Sequence, residues 1–276
     1  MTTLLISPDG MLGRAFVEAL GEGFTGVSYP QIDLTKPETI ATHLAPGITR
    51  VINCSAYTDV DGAETNEALA NAINGHGVEA LAKRCREIDA TLIHFGTDYV
   101  FDGNATKPYP VSAPLAPQGA YGRSKALGET LLRSSGAQHI YVRTSWLYAP
   151  WAKNFVRTIA SLAKTKSELK VVDDQRGRPT SAEHLARTTL ALSERGKRGT
   201  WHVTDGGECS WFELAREIVR LSGSSCVVHP CTTAEFPRPA KRPAYSVLDL
   251  AETESVLGAM PDWRENLASV MARLEP

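Results

Sequence analysis

The chain has 276 residues, 42% hydrophobic and 22% charged, which is close to the globular average and excludes wholesale disorder. At about 150 residues per domain, the length fits one large or two modest domains. Lys and Arg number 29 against 31 Asp and Glu, a net charge of −2, so no charge excess points to a nucleic-acid or membrane partner.

Thr3–Ile6 is a short apolar run that reads as a strand, closed by the turn signal Ser7-Pro8-Asp9-Gly10. Met11–Leu20 carries Leu12, Phe16 and Leu20 at helical spacing. Residues 25–29 form a weaker second strand, and Arg50–Asn53 a compact third. Residues 63–88 read as helical, softly broken at Gly75 and Gly77. Residues 91–95 are a strand, 119–134 a helix and 140–144 a strand. Strands alternating with helices imply βαβ units, hence an α/β fold with a doubly wound, Rossmann-type parallel sheet.

After about residue 148 prolines punctuate shorter elements. Residues 154–163 and 210–221 look helical, the second opened by Ser210 and Glu213 at capping-box spacing. Residues 236–243 read as extended loop, because proline blocks both helix and ladder bonding. The expected organisation is a dinucleotide-binding domain over 1–148, to which 171–200 returns, and a smaller, loop-rich substrate domain from 149–170 and 201–276.

Five cysteines, Cys54, Cys85, Cys209, Cys226 and Cys231, form no Cys-x-x-Cys pair. This speaks against a disulfide framework or zinc site and for a reducing compartment. The N-terminus lacks the basic and long apolar regions of a signal peptide, and no run of 18 apolar residues occurs. The expectation is a soluble cytoplasmic protein without a metal; oligomeric state is not readable.

The segment Ser7 to Gly13 lies between the first strand and first helix, where a dinucleotide fold places its phosphate loop. It resembles G-x-x-G-x-x-G with the first glycine replaced by Ser7, leaving Gly10 and Gly13. A plain helix-opening turn is the alternative. No acid ends the second strand to take a ribose 2′-OH. Arg14 can meet a 2′-phosphate, which favours NADPH over NADH, or it is a solvated surface arginine. Asp33 and Leu34 can line an adenine pocket, or Asp33 caps the next helix. Small residues after the third strand, Cys54, Ser55 and Ala56 before Tyr57, let a cofactor lie flat.

Tyr121 and Lys125 are the sharpest feature. A spacing of four places both on one helix face. A neighbouring ammonium stabilises a phenolate and lowers a pKa that is ordinarily near 10, which suits acid–base work at a carbonyl. Thr97, at the carboxyl edge of the sheet, supplies a hydroxyl for the same substrate oxygen.

These segments, with Arg143-Thr-Ser-Trp-Leu-Tyr148, Val172-Asp-Asp-Gln-Arg-Gly-Arg-Pro-Thr180 and Arg242-Pro-Ala-Tyr-Ser-Val-Leu248, resemble the extended short-chain dehydrogenase/reductases. Within them the likeness is to the dTDP-4-dehydrorhamnose reductase group. The resemblance implies hydride delivery from NADPH (NADH being the alternative) to the C4 carbonyl of a dTDP-4-keto-6-deoxyhexose. Tyr121 would donate the proton, Lys125 would tune it and hold the nicotinamide ribose, and Thr97 would orient the sugar oxygen. Gly10, Met11 and Leu12 would contact pyrophosphate, Asp33 and Leu34 the adenine, and Cys54 to Tyr57 the cofactor trough. Thr144, Ser145 and Trp146 would lie beside nicotinamide and substrate. Tyr99, Trp146, Asn154 and Arg178 would serve the sugar nucleotide, Trp146 through its face and Arg178 through the diphosphate. Departures are Ser7 and Asp9 in the phosphate loop, Gly96 where a hydroxyl residue is frequent, and Ala15 where magnesium-linked dimers carry glutamate. Two other readings remain: a non-catalytic regulatory or binding protein on this fold, and another sugar-nucleotide ketoreductase or epimerase.

Overall fold

Short apolar runs become central parallel strands when helices cover both their faces. The computed structural model describes residues 2–274. Its first part runs β1 (Thr3–Ile6), α1 (Met11–Leu20), β2 (Phe24–Val27), α2 (Pro37–His43), β3 (Arg50–Asn53), α3 (Glu67–Asn71), α4 (Gly77–Glu87), β4 (Thr91–Thr97), α5 (Ala120–Ser134) and β5 (His139–Thr144). Then come β6 (Leu147–Tyr148), α6 (Phe155–Ala163), β7 (Glu168–Val172), β8 (Arg176–Gly177), β9 (Thr180–Ser181), α7 (Ala182–Glu194) and β10 (Gly199–His202). The chain closes with β11 (Cys209–Ser210), α8 (Trp211–Ser222), β12 (Val227–Cys231), α9 (Ala251–Leu257) and α10 (Trp263–Met271).

Six strands pair in the order β10-β5-β4-β3-β1-β2, every pair parallel. The fold is α/β and Rossmann-like. Side-chain alternation splits each strand between two cores. Leu4, Ile6, Val51 and Leu92 pack with residues of α2 and α4 on one face. Leu5, Ile52, Ile93, Ile140 and Val142 pack with residues of α1 and α7 on the other. Chain direction across the sheet reverses between β1 and β3, so a crevice opens at the carboxyl ends there.

A third core gathers Val156, Ile159, Leu214, Ile218, Trp263 and Leu267 from α6, α8 and α10, beside the parallel pair β12–β7. The residue-200 boundary expected between the two domains falls inside β10, which is the outer strand of the large sheet.

Residues 63–88 are not one softly broken helix. A 3-10 turn at Gly62–Glu64 precedes α3, and a π-helical turn at Ala72–His76 joins α3 to α4. The glycines nearby are packing positions. A Cβ on Gly75 would lie 2.6 Å from the Leu127 side chain, and one on Gly128 would lie 2.0 Å from the Asn74 carbonyl oxygen. α5 therefore seats directly on the π-turn, a feature frequent at functional sites. β4 runs two residues beyond the expected 91–95, because Gly96 and Thr97 pair with Arg143 and Thr144 of β5.

One buried ion pair ties these layers together. Arg143 on β5 donates from Nε and Nη2 to both carboxylate oxygens of Glu129 on α5, at 3.0 and 2.5 Å. Both side chains are almost fully buried. Arg143 Nη1 also donates to the Val111 carbonyl at 2.9 Å and lies 3.0 Å from His202 Nε2 on β10.

Candidate active site

The turn from β1 into α1 is built by close backbone approach. Ser7 holds φ +60°, the left-handed region where a glycine is more usual. A Cβ on Gly13 would lie 1.8 Å from the Ser7 carbonyl oxygen, so glycine is required there for α1 to pack on the loop. The first-turn N–H groups of α1 have no intrahelical partner, and Gly10 at the N-cap supplies no side-chain cap. The Asp9 carboxylate accepts a hydrogen bond from Ser28 Oγ at 2.5 Å. It is thus turned toward the end of β2, and the helix mouth stays free for an anion.

A cleft of about 550 Å³ runs from this turn across the strand ends. Gly10, Met11, Leu12, Cys54, Ser55 and Ala56 line one stretch of it, and Thr97, Tyr99, Tyr121, Lys125, Thr144, Ser145 and Trp146 line another. Burial pushes the Cys54 thiol far up, so it is an uncharged wall residue rather than a nucleophile.

Tyr121 and Lys125 stand one turn apart near the start of α5. Burial pushes the Tyr121 phenol up to about 12; the Asp98 charge adds to this, and a hydrogen bond with Thr97 pulls back. Burial draws the Lys125 ammonium down to about 8. The expected lowering of the phenol by the ammonium is therefore not found: desolvation, with the Asp98 charge, sets the direction. Tyr121 is a proton donor in this state.

Asp98 was not expected at the site. Its buried carboxyl accepts from Thr97 Oγ1 at 3.0 Å and leaves Oδ2 without a partner. Burial pushes it up to about 6. His94 is also in the cleft lining. It bonds Asn53 through Nδ1 at 3.1 Å and has no partner for Nε2. Burial and the nearby Lys125 charge hold it neutral. Asn74, in the π-turn, accepts from the Tyr57 N–H at 2.9 Å and donates to Ser124 Oγ at 3.0 Å. It ties the loop after β3 to the helix bearing Lys125. A lone His, Asp or Asn carries no periodic signal; Asp98 was legible only as the neighbour of Thr97.

Six expected site residues lie outside the cleft lining. Arg14 packs its guanidinium 4.5 Å from the Trp151 ring centre and 3.7 Å from Glu18. Asp33 accepts from Thr35 N and Oγ1 at the entry to α2, so it shapes a turn. Leu34 is core, close against Gly77 of α4. Tyr57 packs beside Tyr121 in a small cluster with Ala63, Ala70 and Ala120. Asn154 is the N-cap of α6: its Oδ1 accepts from Arg157 N, and its Nδ2 donates to Ala149 O. Arg178 is largely buried near Glu208, Asp249 and Glu254, with Nε unpartnered. Its carbonyl takes the Ser145 hydroxyl at 2.7 Å, so it supports the cleft wall from behind.

Trp146 does line the cleft, but its ring stacks on Trp211 at 3.6 Å and 11°. The adjacent acids Asp173 and Asp174 serve as hydrogen-bond acceptors for Ser210 and Thr233. Among the described residues no group of three or more His, Cys, Asp or Glu is placed to hold a metal ion, and no helix is long and apolar enough to cross a membrane.

Comparison with known proteins adds the following. The family model "RmlD substrate binding domain" matches residues 1–275. A probable dTDP-4,6-dihydroxy-2-methyloxan-3-one 4-ketoreductase of Streptomyces antibioticus is 39% identical over 277 residues, covering 97% of this chain and 93% of that protein. A dTDP-4-dehydrorhamnose reductase of Mycobacterium tuberculosis is 40% identical over 261 residues, covering 91% and 85%. The crystal structure of a dTDP-4-dehydrorhamnose reductase from Bacillus anthracis in complex with NADP superposes with a TM-score of 0.92 at 32% identity, covering 98% of both chains.

Proposed function

The chain belongs to the RmlD substrate-binding-domain family of dTDP-4-dehydrorhamnose reductase-like oxidoreductases, and from that premise we propose that it reduces the C4 keto group of a dTDP-4-keto-6-deoxyhexose with NADPH. The favoured substrate is dTDP-4-dehydrorhamnose and the product dTDP-L-rhamnose, as the names of its relatives suggest. The single observation that carries this reading is the convergence of Thr97, Tyr121 and Lys125 in one cleft with the open mouth of α1.

The residues present fit a dinucleotide. No side chain caps the helix mouth, Asp9 is turned aside onto Ser28, and Cys54, Ser55 and Ala56 leave a shallow trough. The cofactor, when bound, supplies the hydride that attacks C4. The α1 N-terminus would hold its pyrophosphate, and Lys125 would hold the nicotinamide ribose. The remaining work falls to Tyr121, whose neutral phenol gives its proton to the alkoxide forming at the C4 oxygen. The C4 carbonyl thereby gains hydride at carbon and a proton at oxygen, and Tyr121 recovers its proton from solvent. Thr97 would orient the sugar oxygen, with Asp98 holding its hydroxyl. Residues 149–170 and 201–276 would form most of the sugar-nucleotide unit.

The test is consumption of NADPH with a dTDP-4-keto-6-deoxyhexose, followed by identification of the product's C4 configuration. Absence of turnover with every such sugar would overturn the proposal.

Two further results are expected. The kcat/KM for NADPH should fall above about pH 8, tenfold per unit, as Lys125 loses its proton in the free enzyme. Tyr121, at about 12, stays protonated across this range. A profile flat to pH 10 would contradict the assignment. Asp9→Asn should tighten NADPH severalfold and NADH less, because it removes a negative charge beside the end of β2, where the adenosine ribose of a dinucleotide lies. Calorimetric titration of both nucleotides checks this; equal effects would show that Asp9 does not face the 2′-phosphate.

A further inference from the structure

Trp146 has φ +48°, a conformation that is costly for a bulky residue and persists where its surroundings over-determine it. Those surroundings are on view. β6 pairs with β9, Thr180 N–H donates to the Trp146 carbonyl at 3.2 Å, and Ser145 Oγ is held by the Arg178 carbonyl. Gly177 lies so close to the indole that a Cβ there would be 2.6 Å from its ring. The indole is clamped, and on it stacks Trp211, with Phe155 4.5 Å behind Trp211 and tilted at 55°.

Trp211 is fixed with equal care. It opens α8 directly after Ser210, whose hydroxyl caps the Glu213 N–H while Glu213 caps the Ser210 N–H. Ser210 also donates to Asp173 at 2.5 Å, and β11 pairs with β8 next to Gly177. Both tryptophans line the same cleft as Tyr121 and Thr97. Neither indole N–H donates to a protein group among the described residues. The wall thus offers ring faces and no acceptor, whereas Ser55, Thr58, Asp98 and Ser145 line the same cleft with polar groups.

We propose that Trp211, stacked on Trp146, is the residue that selects a 6-deoxy sugar: the Trp146–Trp211 wall receives the C6 methyl, and a 6-hydroxyl there would be desolvated with no acceptor for its proton. The inference rests on the reductase reading, which places C4 at Tyr121. C6 is two bonds from C4, so it lies within the same end of the cleft. The hydroxyls at C2 and C3 need acceptors for their protons, which the aromatic wall lacks; the methyl needs none.

The pair dTDP-6-deoxy-D-glucose and dTDP-D-glucose differs only in the 6-hydroxyl. Their dissociation constants, measured by calorimetry with the NADP-loaded protein, read the contact without requiring turnover. The wild-type chain should bind the deoxy sugar about tenfold or more tightly than the hydroxylated one, a discrimination of the size that one misplaced group brings. Trp211→Ala should bring the ratio near one, with dTDP alone and NADPH bound within about twofold of wild type. Trp211→Phe, which keeps an aromatic face, should keep most of the ratio and shows that a folded protein is being measured. A wild-type ratio near one overturns the inference, as does an unchanged ratio in Trp211→Ala or an equal loss of dTDP affinity. If the ratios behave as expected but no keto sugar is reduced, the reductase reading falls while the wall stands.

Discussion

Tyr121→Phe is expected to lower kcat by about 10²- to 10⁴-fold, the range that a positioned acid contributes, while NADPH affinity stays within about twofold. The phenol is half-buried at the cleft, meets Tyr99 edge-on at 5.9 Å and 80°, and is held far toward its protonated form. Removing the oxygen therefore deletes the proton source and little of the packing. Single-turnover absorbance at 340 nm with pre-bound cofactor separates the two effects. A loss below about tenfold would mean that another group or solvent protonates the alkoxide, and Asp98, pushed up to about 6 by burial beside Thr97, would be the next to test. The same experiment bears on the regulatory alternative, because a chain that only binds would lose nothing.

Glu129→Ala is expected to destabilise the fold by about 3–5 kcal/mol, the cost of leaving a buried charge alone. Arg143 would be left with its guanidinium buried and two of its four hydrogen-bond contacts broken, since Glu129 accepts from two of its nitrogens. The remaining bonds, to Val111 O and His202, cannot neutralise it. Urea denaturation measures the loss. The double variant Glu129→Met with Arg143→Met removes both charges and should recover most of it, because an apolar pair of similar volume avoids the desolvation cost. If the single and double variants were equally unstable, the pair would matter through shape and not through charge. His202 adds a check. Burial beside Arg143 draws its imidazole down to about 3, so its contribution to stability is present above the unfolded value near 6.5 and is lost as pH falls toward 3.

The alternation of short apolar runs with helical spacing determined the α/β class, since a parallel sheet covered on both faces is what such runs can build. Local chemistry determined two more things: a spacing of four set Tyr121 and Lys125 on one face, and Ser210 with Glu213 marked a helix start that the structure closes with both capping bonds. What tertiary structure decided was the state and company of these groups. The sequence reading lowered the Tyr121 pKa through its neighbour, but burial, a property of the whole fold, raised it. Arg14, Asn154 and Arg178 lie outside the cleft lining, where packing sets Arg14 on Trp151, Asn154 at a helix cap and the Arg178 carbonyl behind Ser145. Trp211 carried no signal of its own, being far from Trp146 in the chain; only the docking of β11 on β8 brings the two rings together. Spacing along a chain determines which side chains share an element's face, because that follows from backbone geometry. Desolvation and long-range contact depend on what the other elements cover, and that is settled only when they pack.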